Sequence, residues 1–168
     1  MKETLKHINN LVESGIIEKY AIAGGIAHFY YIEPSVTFDL DLIVTFTREN
    51  NPLAPLGEIY EWSKRNNFET EGEHILISGV PVQFLLPYND LVEEALEKRR
   101  EISLFGEKTY ILSPEYLMAI MLQTGRASDR ERLLRFFSEV DFDNGIIEDV
   151  LTRFKLKDTL TDFRKAYE

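Results

Sequence analysis

The sequence predicts an α+β fold: a mixed β-sheet with flanking helices, completed by a helical C-terminal part. Three observations predict it. Up to residue 112, short apolar runs bounded by Gly, Pro, Asn and Ser alternate with segments of helical period. From Ser113 onward only helical periods remain, in four short segments. With 168 residues, 44% of them hydrophobic, the chain can bury one sizeable core. We therefore expect an α/β core over 1–112 and a helical segment over 113–168 packed on it.

Residues 2–14 read as an amphipathic helix with Leu5, Ile8, Leu11 and Val12 on one side, ended by Ser14-Gly15. A first strand spans 18–23, a short helix 25–32, stopped at Pro34, and a second strand 39–46. A polar loop over 48–55 leads to a helix over 56–66, with Leu56, Ile59 and Tyr60 inward and Trp62 read as packing. Strands over 75–77 and 80–86 form a hairpin at Ser78-Gly79. Asn89 or Asp90 caps a helix running to about Lys98, with Glu93 placed for a capping box. The run Lys98-Arg99-Arg100 reads as its solvated, dipole-compatible end. Strands over 101–105 and 108–112 turn at Gly106.

Ser113-Pro114 opens the next helix, whose face carries Leu117, Ile120, Met121 and Thr124 until Gly125-Arg126 breaks it. Ser128 with Glu131 predicts a capping box for the helix that buries Leu133, Leu134 and Phe137. Asp141-Phe142-Asp143-Asn144-Gly145 lacks the later ligands of a calcium loop and reads as a turn. Two further helices carry Ile146, Ile147, Val150, Leu151 and Phe154, then Leu160, Phe163 and Tyr167.

The absence of cysteine excludes a disulfide framework, zinc–thiolate sites and thiol chemistry. A net charge of −10 argues against broad, sequence-independent nucleic-acid binding. No apolar run reaches membrane-spanning length and the N-terminus carries no signal core, so the expectation is a cytoplasmic protein without membrane contact.

The chemistry concentrates between Tyr20 and Val44. An apolar strand meets Gly24-Gly25, a short helix follows, and the second strand carries Asp39 and Asp41 at i and i+2. Alternation puts both carboxylates on one face and Phe38, Leu40 and Leu42 on the other. Two like charges there repel and resist desolvation, which a hard divalent cation with oxygen ligands offsets. Glycine permits close backbone approach to a ligand, and the following helix offers free N–H groups to an anion. A phosphate-binding turn thus precedes a metal-binding strand by about 15 residues. His28, with no second ligand at metal spacing in its helix, reads as packing or surface.

Gly24-Gly25 followed by Asp39-Leu40-Asp41 resembles the signature of the nucleotidyltransferase superfamily, which includes DNA polymerase β. The closest-looking branch is the small prokaryotic one containing abortive-infection toxins of toxin–antitoxin pairs, where a Thr such as Thr37 often precedes the second motif. The resemblance extends over about residues 18–137. It implies that Asp39 and Asp41 hold Mg²⁺ or Mn²⁺. It also implies that Gly24, Gly25, Thr37, Arg126 and Asp129 serve a nucleoside triphosphate, with Arg126 stabilising developing charge. An antitoxin or other protein partner is implied by the branch.

Departures from the family pattern are specific. Gln83, in Val80-Pro81-Val82-Gln83-Phe84-Leu85, stands where relatives have a third acid, giving a degenerate third metal position. Pro114-Glu115, Leu117, Gly125-Arg126 and Asp129 fit a later motif, but Met121 and Ser128 replace expected lysines and Arg132 an expected acid. An amide neither accepts a proton nor ligates Mg²⁺ as a carboxylate does. Two functions are therefore in play: nucleoside monophosphate transfer to an acceptor, or a nucleotide-binding or protein-interaction module without turnover. Gln83 is expected on the strand beside Asp39 and Asp41, its NH₂ donating to one of them. Arg126 is expected either on phosphate or in a salt bridge to Asp129.

Overall fold

A computed structural model describes residues 1–32, 39–47 and 54–167. The elements run α1 (Lys2–Glu13), β1 (Lys19–Ile22), α2 (Gly24–Tyr31), β2 (Leu40–Thr45), α3 (Gly57–Arg65), β3 (Thr70–Glu71), β4 (His74–Ile77) and β5 (Val80–Leu85). They continue with α4 (Asp90–Glu97), β6 (Arg100–Leu104), β7 (Glu107–Ile111), α5 (Pro114–Thr124), α6 (Ala127–Glu139), α7 (Asn144–Arg153) and α8 (Lys157–Tyr167). This is the predicted mixed α/β architecture. The strands form one seven-stranded sheet in the order β3-β4-β5-β2-β1-β7-β6. Pairs β2–β5 and β1–β7 are parallel, and the remaining neighbours are antiparallel.

The two faces of the sheet differ in chemistry. On one, Tyr20, Ile22, Leu40, Leu42, Val44, Val82, Ile75 and Ile77 are almost wholly buried. Helix α1 lies against this side, burying Leu5, Ile8 and Leu11 and donating from Thr4 Oγ1 to the Ile77 carbonyl at 3.1 Å. The other face carries Asp41, Gln83 and His74, all half-buried, and is covered in part by α4 and α5 through Val92 and Leu117. No helix among the described residues is long and apolar enough to cross a membrane.

Several boundaries differ from the sequence reading, each for a local reason. Asp39 lies just before β2 and is exposed, because the ladder to β5 begins only at the Leu40–Val82 pair. The hairpin strand β3 has two exposed residues, too few to show a periodicity. Asn89 is the cap of α4, accepting from Val92 N at 3.0 Å. The predicted capping box at Ser128 does not form: Ser128 is inside α6, whose N-cap is Arg126, without a side-chain cap bond. Helix α5 ends at Gly125 with φ +61, and the chain re-enters helix too soon for Ser128 to cap it. Ser113 occupies the cap position of α5, but its hydroxyl donates to Glu115 Oε2 at 2.6 Å. The Asp141–Gly145 segment is a turn in which Asp143 caps α7, accepting from Gly145 N and Ile146 N.

Arg100 is not part of a helix end. It starts β6 and reaches the fully buried Glu115 at 3.2 Å. Glu115 also accepts from Asp143 N at 2.9 Å, tying together β6, the start of α5 and the start of α7. A buried carboxylate with this many partners is costly to remove, since its donors are left unsatisfied. Glu115→Ala should lower unfolding free energy by about 3 kcal/mol in urea denaturation. A loss below roughly 0.5 kcal/mol would show that these bonds do not hold the C-terminal helices in place.

Candidate active site

The site forms where β1 hands over to α2 beside β2. Ala23 N donates to the Asp41 carbonyl at 2.9 Å, so the backbone of the turn is pinned to the carboxylate strand. Gly24 then takes φ +55, a left-handed conformation that favours glycine. The Asp41 carboxylate packs against its α-carbon, and a Cβ there would overlap Asp41 Oδ2. Gly24 is therefore required first by Asp41. Gly25 continues the helix, whose N-cap Ala23 supplies no side-chain bond, so the first amides of α2 keep their capacity for an anion.

Asp41 is half-buried and its pKa is raised, chiefly by burial and then by the neighbouring Asp39 charge. His74 and Arg132 pull it the other way. Asp39 is exposed at the entrance to β2. Gln83 sits directly beside Asp41 in the parallel β2–β5 ladder, and His74 pairs with Gln83 from β4. Partners in register point to the same face, so His74, Gln83 and Asp41 make a row across three strands. The Gln83 amide does not bond to Asp41 or Asp39: Nε2 donates to Glu73 Oε2 at 2.7 Å. The β3–β4 turn brings an exposed carboxylate to β5, while the Asp41 carboxylate leans away onto Gly24.

Asp41 and Gly24 open into a cavity of about 170 Å³ whose rim carries Arg126, Asp129 and Arg132 and whose mouth carries the exposed Tyr88. Its floor is apolar, with Ile43 and Leu85 from the sheet and Leu117 and Met121 from α5. The sequence-predicted Gly24, Asp41, Arg126 and Asp129 thus share one cavity. Arg126 is exposed and makes no ion pair with a described carboxylate. The salt bridge to Asp129 does not form: Asp129, 6% exposed, accepts from Thr124 Oγ1 at 2.7 Å and lies 3.8 Å from Arg132. The helical register favours this, because Arg132 is one turn beyond Asp129 whereas Arg126 precedes the helix. Thr37 lies outside the described residues.

Sequence reasoning missed Arg132, His28, His74, Tyr88 and Glu73 as parts of this region. Arg132 was legible as a basic residue one turn from a motif Asp, and Glu73 as the acid of a Gly-containing hairpin tip. The others had no local signal. The surface reading of His28 is excluded: it is 6% exposed, lines the cavity, and stands edge-on to Phe136 with ring centroids 5.6 Å apart. Burial first, and then the Arg132 charge, lower its pKa from 6.5 to about 4.

A two-carboxylate site fits a cation that completes its shell with phosphate oxygens and water, as Mg²⁺ does. Burial first and then the Asp39 charge raise the Asp41 pKa, and such a cation would offset both by favouring the charged carboxylate. Among the described residues no group of three or more His, Asp or Glu is placed to hold a metal ion.

No protein-family model matches the chain, and no curated protein matches it in sequence. Solved structures do match its fold. An antigenic nucleotidyltransferase-like protein from Paracoccidioides brasiliensis aligns with a TM-score of 0.60 at 17% identity, over 98% of this chain and 93% of that one. The antibiotic-resistance factor ANT(2'')-Ia aligns with a TM-score of 0.54 at 13% identity, over 98% and 96%. The chain has the fold of nucleotidyltransferase-like proteins.

Gly24→Ala forces a Cβ into the Asp41 carboxylate in a left-handed backbone, and should cost about 2–4 kcal/mol in urea denaturation. A wild-type-like midpoint would show that the close contact is not enforced. For His28, the unfolded chain takes up a proton near pH 6.5 that the fold resists until about 4. The His28 contribution is therefore undiminished above pH 6.5 and is lost as pH falls through that window. Relative to His28→Leu, the wild type should lose up to about 3 kcal/mol of unfolding free energy from pH 7 to 4. Parallel pH profiles for the two proteins would refute this.

Proposed function

We propose that this chain binds a nucleoside triphosphate with a divalent cation and transfers the nucleoside monophosphate to an acceptor hydroxyl, whose oxygen bonds the α-phosphorus as pyrophosphate leaves and whose proton passes to solvent. The observation that carries the reading is the Asp41 carboxylate seated on Gly24 at the start of α2, in one cavity with Arg126 and Arg132. In this arrangement the amides at the start of α2 take the phosphates. Asp39 and Asp41 would hold Mg²⁺ or Mn²⁺, which when bound polarises the α-phosphoryl group and lowers the pKa of an attacking hydroxyl. Arg126 and Arg132 supply the positive charge that Met121 and Ser128 do not, and a guanidinium fork suits phosphate oxygens. Asp129 holds Arg132 on the rim.

A second reading, binding with little or no turnover, is favoured by one observation: the group beside Asp41 is an amide already committed to Glu73. Gln83 cannot accept the hydroxyl proton, so transfer is expected to be slow. The acceptor classes left open by the fold are a protein side chain, an RNA end or a small molecule. A toxin role would add an antitoxin that closes this cavity.

Two measurements test the proposal. Incubation with each α-labelled nucleoside triphosphate and Mg²⁺ or Mn²⁺, against lysate, RNA and the protein itself, should give labelled product that is absent in Asp39→Asn/Asp41→Asn. Saturating Mg²⁺–nucleotide should also stabilise the wild type by mass action, about 2.7 kcal/mol at a hundredfold excess over Kd. The double variant should lose that shift while melting no lower than the wild type without metal, because it removes the repulsion at Asp41. A full shift in the double variant would place metal and nucleotide elsewhere. A Mg²⁺–nucleotide stabilisation with no labelled product would favour binding alone.

A further inference from the structure

His28 is a buried polar group lining the cavity that the proposed phosphate and metal chemistry leaves unused. It is 6% exposed, and no group meets hydrogen-bonding geometry at Nδ1 or Nε2, although the Gly24 backbone lies near enough to favour the protonated form slightly. Buried polar atoms are nearly always paired, and leaving one unpaired costs folding free energy. An apolar side chain of similar size would remove that cost, since the neighbours include Phe136 and the apolar cavity floor. Where a sequence keeps a locally unfavourable group at a cavity wall, a ligand that satisfies it is the usual physical reason.

The kind of ligand follows from the chemistry of the site. At neutral pH the imidazole is uncharged, because burial and Arg132 disfavour its protonation. A neutral imidazole offers one donor and one acceptor and does little for a triphosphate. It suits an uncharged group with a donor and an acceptor on its edge. The cavity holds about 170 Å³, comparable with the roughly 150 Å³ of an engineered apolar cavity that admits one benzene ring. Ile43, Leu85 and Met121 supply apolar faces of the kind a planar ring packs against. Gly24, one helical turn before His28, and Asp41 line the same cavity and would take the phosphate end.

We infer that His28 is a specificity-determining residue, reading the hydrogen-bonding edge of the nucleobase of a nucleoside triphosphate whose phosphates lie at Gly24 and Asp41. This rests on the proposed function. It adds that the site distinguishes bases and that one neutral side chain, one helical turn on from Gly24, does so.

The test is calorimetric binding of ATP, GTP, CTP and UTP, and of inorganic tripolyphosphate, each with Mg²⁺, to wild type, His28→Leu and His28→Gln. The wild type should prefer one or two bases by roughly tenfold or more, the worth of one hydrogen bond of about 1.4 kcal/mol. In His28→Leu the four affinities should converge to within about threefold while tripolyphosphate affinity stays unchanged. His28→Gln, which keeps a donor and an acceptor, should retain part of the preference. Without ligand at neutral pH, His28→Leu should melt no lower than the wild type, which separates lost recognition from misfolding. Equal affinities in the wild type, or an undiminished preference in His28→Leu, overturn the inference while leaving triphosphate binding standing. Failure of the wild type to bind either nucleotide or tripolyphosphate overturns both the inference and the proposed function.

Discussion

The contact between the Asp41 carboxylate and the α-carbon of Gly24 is the constraint on which the site depends. It demands a residue without Cβ in a left-handed conformation, and it fixes how α2 leaves the sheet. It requires β1 and β2 to pair in the observed register, with Ala23 N on the Asp41 carbonyl. One steric condition thus places the carboxylate and the helix start together.

The charge arrangement around that contact opposes the charge of the whole molecule. The chain carries −10 overall, yet the cavity rim presents Arg126 and Arg132. A generally acidic surface disfavours polyanions of any length, whereas two guanidinium groups at one concave rim favour a compact anion. Asp129, with its carboxylate held by the Thr124 hydroxyl, sits 3.8 Å from Arg132. The positive charge at the rim thus comes from the N-cap and second turn of α6.

The C-terminal helices close one side of this space. Met121 and Leu117 of α5 line the cavity together with Ile43 and Leu85 of the sheet, and α6 adds Phe136 against His28. Their position relies on Glu115, which links Arg100 of β6 to the beginnings of α5 and α7. The apolar floor and the ion-pair clasp therefore do different work: the first shapes the cavity, the second holds the helices that form it.

Local pattern alone determined the alternation of strand and helix, the capping of α4 at Asn89, and the one-face placement of Asp41 opposite Leu40 and Leu42. Those features depend on neighbours within a few residues, where period and cap chemistry act. The sequence also marked Gly24 as special, but for the reach of a ligand, whereas the folded chain shows a side chain 17 positions later filling the space. Gln83 was legible as a strand neighbour of Asp41, yet its partner was not, because Glu73 arrives only through the β3–β4 turn. The choice of Arg132 over Arg126 as the neighbour of Asp129 followed from where α6 begins, which the Ser128 pattern misplaced. His28 had no signal in its own helix, since an unpaired imbalance of donors and acceptors exists only once α5, α6 and the sheet have enclosed it. Short-range chemistry wrote the elements and their polar faces; which side chains meet across the cavity was decided by long-range packing, because those contacts join residues far apart in the chain.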